Sequence, residues 1–183
     1  MYDYATYDAG REAPGTRALW TTIASTWPAS VLLGIYNARA IRGSDRLSLH
    51  AEGRAVDFKP PGQAKDVIAE WARTHAATLG IQEIIVYATR RIWTSNRSAE
   101  GWRPYKGVSS GMTHIHIGQH RSGAGIGSGK GVDPIVMAST VRDIVQGEGL
   151  RAWQAAVLGV IGLGLWAQER GHLRSVAHRF VGS

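Results

Sequence analysis

The sequence predicts an α+β fold: a small, mostly antiparallel sheet with flanking helices, followed by a C-terminal helical appendage. Three observations lead there. Short apolar runs rich in branched residues occur at 31–36, 55–58, 81–87 and 112–118, and read as strands. Helical periodicity is clearest over 63–79, where Ala64, Val67, Ile68, Trp71, Ala72, His75 and Leu79 follow i, i+3, i+4, i+7 spacing. Composition then shifts at a Gly-rich run, 118–131. A chain of 183 residues, 44% hydrophobic and 19% charged, accommodates one ordinary domain plus an appendage and is too apolar to be disordered throughout.

Taken in order, residues 1–15 are polar, contain Gly10, Pro14 and Gly15, and read as a loosely held lead-in. Thr16 caps a helix running to Thr26, and Pro28 ends it. A strand at 31–36 leads into a basic loop, 37–47. Ala55–Phe58 is the next strand, and 59–62 (Lys-Pro-Pro-Gly) a turn. The helix of 63–79 ends at Gly80, well placed as its C′ residue, with His75 structural on its apolar stripe. Ile81–Tyr87 reads as a central strand, with Arg90–Thr94 returning as a hairpin. Glu83 interrupts that strand and is expected to face solvent. Residues 95–111 form a polar loop that carries Trp102 and Tyr105. The domain therefore spans 16–120, followed by a linker at 121–132 and a helical unit at 133–183. The linker's Gly-x-Gly steps lack the Walker pattern, so a phosphate loop is rejected, and His120 at its start is expected to be exposed.

The chemistry is concentrated in two segments. His50 and Asp57 flank Gly53, whose backbone freedom lets a loop bring both to one point. His114 and His116 are two apart, so a strand presents both on one face; either can bind metal while the other points into the same cleft. Two imidazoles and a carboxylate are suitable ligands for a zinc ion with an open fourth position.

Ser48, His50, Gly53, Ala55 and Asp57 match S-x-H-x-x-G-x-A-x-D, with an H-x-H downstream. This resembles the LAS-type zinc peptidases, a group that includes D-Ala-D-Ala carboxypeptidases and dipeptidases, lysostaphin-like enzymes, phage endolysins and the hedgehog signalling domain. The resemblance runs from about residue 36 to about 118. Within it, segments 39–43, 80–85 and 90–93 look like those of actinobacterial and actinophage members. The resemblance implies the same α+β fold, one zinc ion held by His50, Asp57 and His116, and His114 as a second active-site imidazole. It implies that Ser48 borders the site and orients a ligand through a hydrogen bond. It also implies an upstream arginine, Arg39 or Arg42, for a substrate carboxylate. One position departs. The group carries an acid three residues before the last metal histidine as the general base, and Thr113 stands there. A threonine hydroxyl does not take a proton from water at neutral pH as a carboxylate does. Either His114, Glu83 or Glu100 replaces it, or hydrolysis is crippled. The expected function is zinc-dependent hydrolysis of peptidoglycan peptides, of the carboxypeptidase or endolysin type. The alternative is a catalytically impaired zinc-site domain that binds cell-wall peptide or polymer.

The absence of cysteine removes disulfides and thiolate metal sites. A formal charge of +7 suits an anionic partner, such as the polymers of a cell wall. Nucleic acid is disfavoured, because the charges are scattered and no binding motif accompanies them. The first eight residues carry neither a basic nor an apolar region, which predicts no secretory signal and suits a phage lysis or virion protein acting at the bacterial wall. Residues 152–167 are apolar on nearly every face. As a helix they would span roughly 24 Å, short of the roughly 30 Å hydrocarbon core. Trp153, Trp166 and the following arginines resemble interfacial anchors, so membrane contact is one reading and burial against 133–146 or in an oligomer the other.

Overall fold

Strand β6 (Ile115–Gln119) has two chemically different faces. Ile115 and Ile117 point one way, His116 and Gly118 the other, because strand side chains alternate. Strands β2 (Ala55–Lys59) and β3 (Ile81–Val86) pair with it on either side. Their registers set Val56 and Ile84 opposite Ile117, and Phe58 and Val86 opposite Ile115. Strand β1 (Val31–Gly34) extends the sheet beyond β2, while β4 (Arg91–Thr94) and β5 (Arg103–Pro104) extend it beyond β3. The order is β1-β2-β6-β3-β4-β5 with every pair antiparallel, which is the α+β class expected from the sequence. The computed structural model describes residues 1–108 and 112–127.

Helices α1 (Pro14–Thr26) and α2 (Lys65–Thr74) supply the apolar cover. Leu19 and Ile23 of α1 and Ile68 and Ala72 of α2 are fully buried, as are Phe58, Ile84, Ile115 and Ile117. Each large aliphatic side chain buried in this way contributes about 1.5–3 kcal/mol. Trp20 lies 5.9 Å from Phe58, and Trp27 meets Trp71 edge-on at 5.3 Å, so the two helices adjoin.

Several boundaries differ from expectation. Helix α1 begins three residues early, with Pro14 in its first turn and Ala13 as an N-cap without a side-chain hydrogen bond. Thr16 is a buried helix residue instead of the cap. Helix α2 is shorter than 63–79. Regular structure stops at Thr74, and one irregular turn closes at Gly80, where Gly80 N–H bonds Ala77 O and Ile81 N–H bonds Ala76 O. That is a Schellman closure with Gly80 at φ +59°, its expected C′ role. Strand β1 ends at Gly34, two residues early. The loop of 95–108 contains a 3-10 segment, Ser95–Glu100, and strand β5.

The lead-in is not loose. Asp3 donates its N–H to the Gln82 side chain (2.8 Å) and accepts from Gln82 Nε2 (2.9 Å) through its carbonyl. Thr6 N–H reaches Glu52, Ala9 N–H reaches Ala51 O, and Ala13 N–H reaches Gly53 O. This strap runs so close to Gly53 that a Cβ there would lie 2.2 Å from Arg11 O, while φ at Gly53 is +66°. Two independent constraints therefore require glycine. The Gly-rich stretch also starts as packed structure. Gly123 touches Gly80, Ala124 is buried and accepts from Gly15 N–H, and His120 is only partly exposed, against Ser95 and Asp3. The remaining linker, the helical unit at 133–183 and its apolar segment 152–167 lie outside the described residues. Among the described residues no helix is long and apolar enough to cross a membrane.

Arg54 joins these parts. Fully buried, it donates to Glu52 Oε2, Gln119 O and Asp3 O, each at 2.6 Å. Glu52 is buried too and accepts from Thr6 N–H and Arg121 as well. Burial alone would raise the Glu52 carboxyl, but these donors hold it below its usual range. Removing one partner of a buried ion pair strands the other. Arg54→Ala is expected to cost about 3–5 kcal/mol in urea denaturation. Arg17→Ala, which breaks the exposed pair with Glu12, is expected to cost only about 0–1 kcal/mol. Equal costs would contradict this account.

Candidate metal centre

The polar face of the sheet collects the titratable groups. Register places Asp57 of β2 opposite His116 of β6, and a shift in β3 sets Glu83 opposite Gly118. Gly118 is needed for that approach, since a Cβ there would meet Leu49 Cδ1 at 2.4 Å and Glu83 Cγ at 3.0 Å. His50 arrives on a 3-10 turn, Leu49–Glu52, which packs on β2. Ser48 caps the turn by accepting from His50 N–H (3.4 Å), and Gly53 closes it in the left-handed region.

Three ligand atoms converge. His50 Nε2 lies 3.2 Å from His116 Nδ1 and 3.2 Å from Asp57 Oδ2, and His116 Nδ1 lies 2.8 Å from Asp57 Oδ1. Donors about 2.0–2.2 Å from a tetrahedral zinc stand roughly 3.3–3.6 Å apart. The cluster is slightly tighter and needs only a small opening to fit. His50, Asp57 and His116 could therefore hold a metal ion. The outer nitrogens support this use of the inner ones. His50 Nδ1 is 2.7 Å from Ile35 O, and His116 Nε2 is 3.0 Å from Glu83 Oε1. Each ring donates outward and turns its other nitrogen toward the shared point, the usual arrangement of a metal-ligating histidine.

His114 lies beside the cluster, its Nε2 3.6 Å from Asp57 Oδ2 and its ring 4.4 Å from that of Tyr87. Tyr87 in turn meets Tyr105 edge-on at 5.4 Å. Burial, then the nearby Tyr105 and Asp57, push the Tyr87 hydroxyl above its ordinary range. The other expected site residues are placed as follows. Thr113 is exposed just ahead of β6. Arg39 and Arg42 are exposed in the loop before the 3-10 turn, where Arg39 O accepts from Ser48 N–H; neither side chain forms an ion pair among the described residues. Glu100 is engaged by Arg97. Glu83 does not face solvent. It is mostly buried in the cleft, because the β3–β6 register aims it at His116. The groups that sequence reasoning missed are Tyr87, the Ile35 carbonyl and Tyr2, whose hydroxyl donates to Glu83 Oε2 at 2.6 Å. A polar residue inside an apolar strand was the available signal for Glu83.

The fold and this cluster define an α+β domain with a buried His–Asp–His site of metal-ligand type. The chain belongs to the family described as the VldE C-terminal domain, whose model matches residues 8–117. Neither a curated protein nor a solved structure matches the chain.

Charge in the metal-free cluster is determined by competition. Burial would lower the His116 pKa, but the Asp57 and Glu83 carboxylates on its two nitrogens raise it to about 10. Burial would raise Asp57, yet the surrounding His114, His116 and His50 hold it far below its usual range. A raised histidine pKa adds stability that is fully present below the unfolded value of about 6.5 and is lost as pH rises through the folded value. The metal-free protein is thus expected to keep His116 as imidazolium through neutral pH and to lose stability toward about pH 10. Imidazole NMR titration checks this, and a His116 midpoint near the ordinary value would contradict it.

Proposed function

We propose that this domain is a zinc-dependent peptidase of the LAS type, acting on peptidoglycan peptides in the manner of a carboxypeptidase or endolysin. The observation that carries the proposal is the convergence of His50 Nε2, Asp57 and His116 Nδ1, with His114 alongside. Zinc held there would polarise a scissile carbonyl and lower the pKa of its water. The protein's own groups do the rest. Ile35 O and Glu83 fix the two ligating rings by accepting their outer N–H protons. His114 has the position and chemistry to accept a proton from the attacking water and to return it to the leaving amine. Glu83 is not available for that task, since both its oxygens are occupied by His116 and Tyr2. Tyr87 and Tyr105 form an aromatic wall beside His114, suited to an extended peptide or sugar. Arg39 or Arg42, exposed before the turn that carries His50, would bind a substrate carboxylate. The +7 charge would hold the protein on an anionic wall polymer, in keeping with a phage lysis or virion role.

Thr113 supports a second reading, a zinc-site domain that binds wall peptide without cutting it, because no carboxylate occupies the usual base position. Zymography on purified cell wall, with chelator and with zinc restored, separates the two. The peptidase reading predicts clearing that is abolished by chelation, and a loss of about 10²–10⁴-fold in His114→Ala with zinc content unchanged. Wall binding without clearing by the wild type, whether or not Thr113→Asp gains turnover, would overturn it in favour of the binding domain. Zinc uptake should also release the His116 proton, so affinity is expected to rise with pH across the neutral range; calorimetry in buffers of different ionisation enthalpy reads that proton directly.

A further inference from the structure

The strap of residues 2–9 reaches the metal cluster through a single side chain. Tyr2 donates its hydroxyl to Glu83 Oε2 at 2.6 Å, and Glu83 Oε1 lies 3.0 Å from His116 Nε2. His116 Nδ1 is then one of the three converging ligand atoms. The chain of contacts therefore runs from hydroxyl to carboxylate to imidazole to the shared point. We propose that Tyr2 is a positioning residue for the metal site and that docking of its strap is thermodynamically coupled to metal binding. The inference rests on the zinc reading of the cluster.

The argument is geometric. Glu83 must present one specific oxygen to His116 Nε2, and a glutamate side chain has three rotatable bonds with which to miss. Gly118 lies against one side of it. The Tyr2 hydroxyl fixes the second oxygen, so the carboxylate has both ends anchored. Tyr2 is itself held by its neighbours. The two hydrogen bonds between the Asp3 backbone and Gln82 act as a strand pairing made by a side chain, and Arg54 adds a third bond to Asp3 O. Arg121 reaches the Tyr4 carbonyl and Thr6, and Thr6 N–H reaches Glu52. All these contacts fix a segment that contributes no ligand of its own. Coupling of this kind is reciprocal: if the docked strap favours metal, metal favours the docked strap by the same factor.

Two measurements on the full chain test this. Tyr2→Phe removes only the hydroxyl, and Tyr4→Phe alters the neighbouring ring, 4.8 Å away, as a control. Zinc affinity, read by competition with a chromophoric chelator, is expected to weaken roughly threefold to tenfold in Tyr2→Phe, less than the 10–100-fold typical of a group bonded to a ligand itself. Tyr4→Phe is expected to match the wild type. The ligand-field spectrum of the cobalt-substituted protein should also shift in Tyr2→Phe, which a general loosening of the fold would not produce. Hydrogen exchange at the Asp3 and Thr6 amides is expected to slow when zinc is added to the wild type, and that slowing should shrink in Tyr2→Phe. Wild-type zinc affinity in Tyr2→Phe, or wild-type exchange at Asp3 that ignores zinc, overturns the coupling while leaving the peptidase reading intact. A wild type that binds no zinc overturns both.

Discussion

The structure depends on one buried line of charge, Glu83–His116–Asp57. An imidazole between two carboxylates in a cleft is stable only where each partner is aimed, because a buried charge without its counterpart is costly. The sheet provides that aim. Strand β6 lies between β2 and β3, so Asp57 and Glu83 approach His116 from opposite neighbours. His50 completes the set from a 3-10 turn, which Ser48 begins and Gly53 ends. The greasy face of the same strands is equally constrained, since Ile115 and Ile117 must be buried for His116 to face the cleft. A slip of one residue in register would exchange the two faces.

A second constraint surrounds the first. Arg54 and Glu52 form a buried ion pair directly behind the signature turn, and their spare hydrogen bonds go to the N-terminal strap, to Arg121 and to the end of β6. Three separate segments of chain thus meet at one guanidinium and one carboxylate: the turn itself, the strap and residues 119–121. The turn that carries His50 is consequently held from both sides, by the sheet in front and by this network behind. A metal site benefits from such rigidity, because ligands held near their final positions lose little freedom on binding.

Much of this was legible in the sequence, for identifiable reasons. Period-two alternation around His116 and the branched runs at 55–58 and 81–87 mark the strands, since burial of one face leaves a direct trace in composition. His50, Asp57 and the pair His114 and His116 group together because imidazole and carboxylate ligate metals, whereas the choice of His116 over His114 comes from the resemblance to the LAS-type signature. Glu83 reads as solvent-facing because cross-strand register is a tertiary property, and nothing local to β3 announces that Gly118 lies opposite. The lead-in looked loose for a related reason. Its hydrogen bonds go to Gln82, Glu52 and Arg54, partners distant in sequence that polar composition alone does not reveal. Periodicity overstates helix α2 because Leu79 keeps the helical spacing inside the irregular turn that follows Thr74.

The most direct test of the central claim is zinc-edge X-ray absorption on the purified, zinc-loaded protein, paired with metal analysis. The account predicts one equivalent of zinc per chain in a nitrogen and oxygen environment with two imidazoles, and loss of that ion in His50→Ala and in Asp57→Ala. Absence of tightly held zinc, or zinc that survives both substitutions with its ligand environment unchanged, would contradict it.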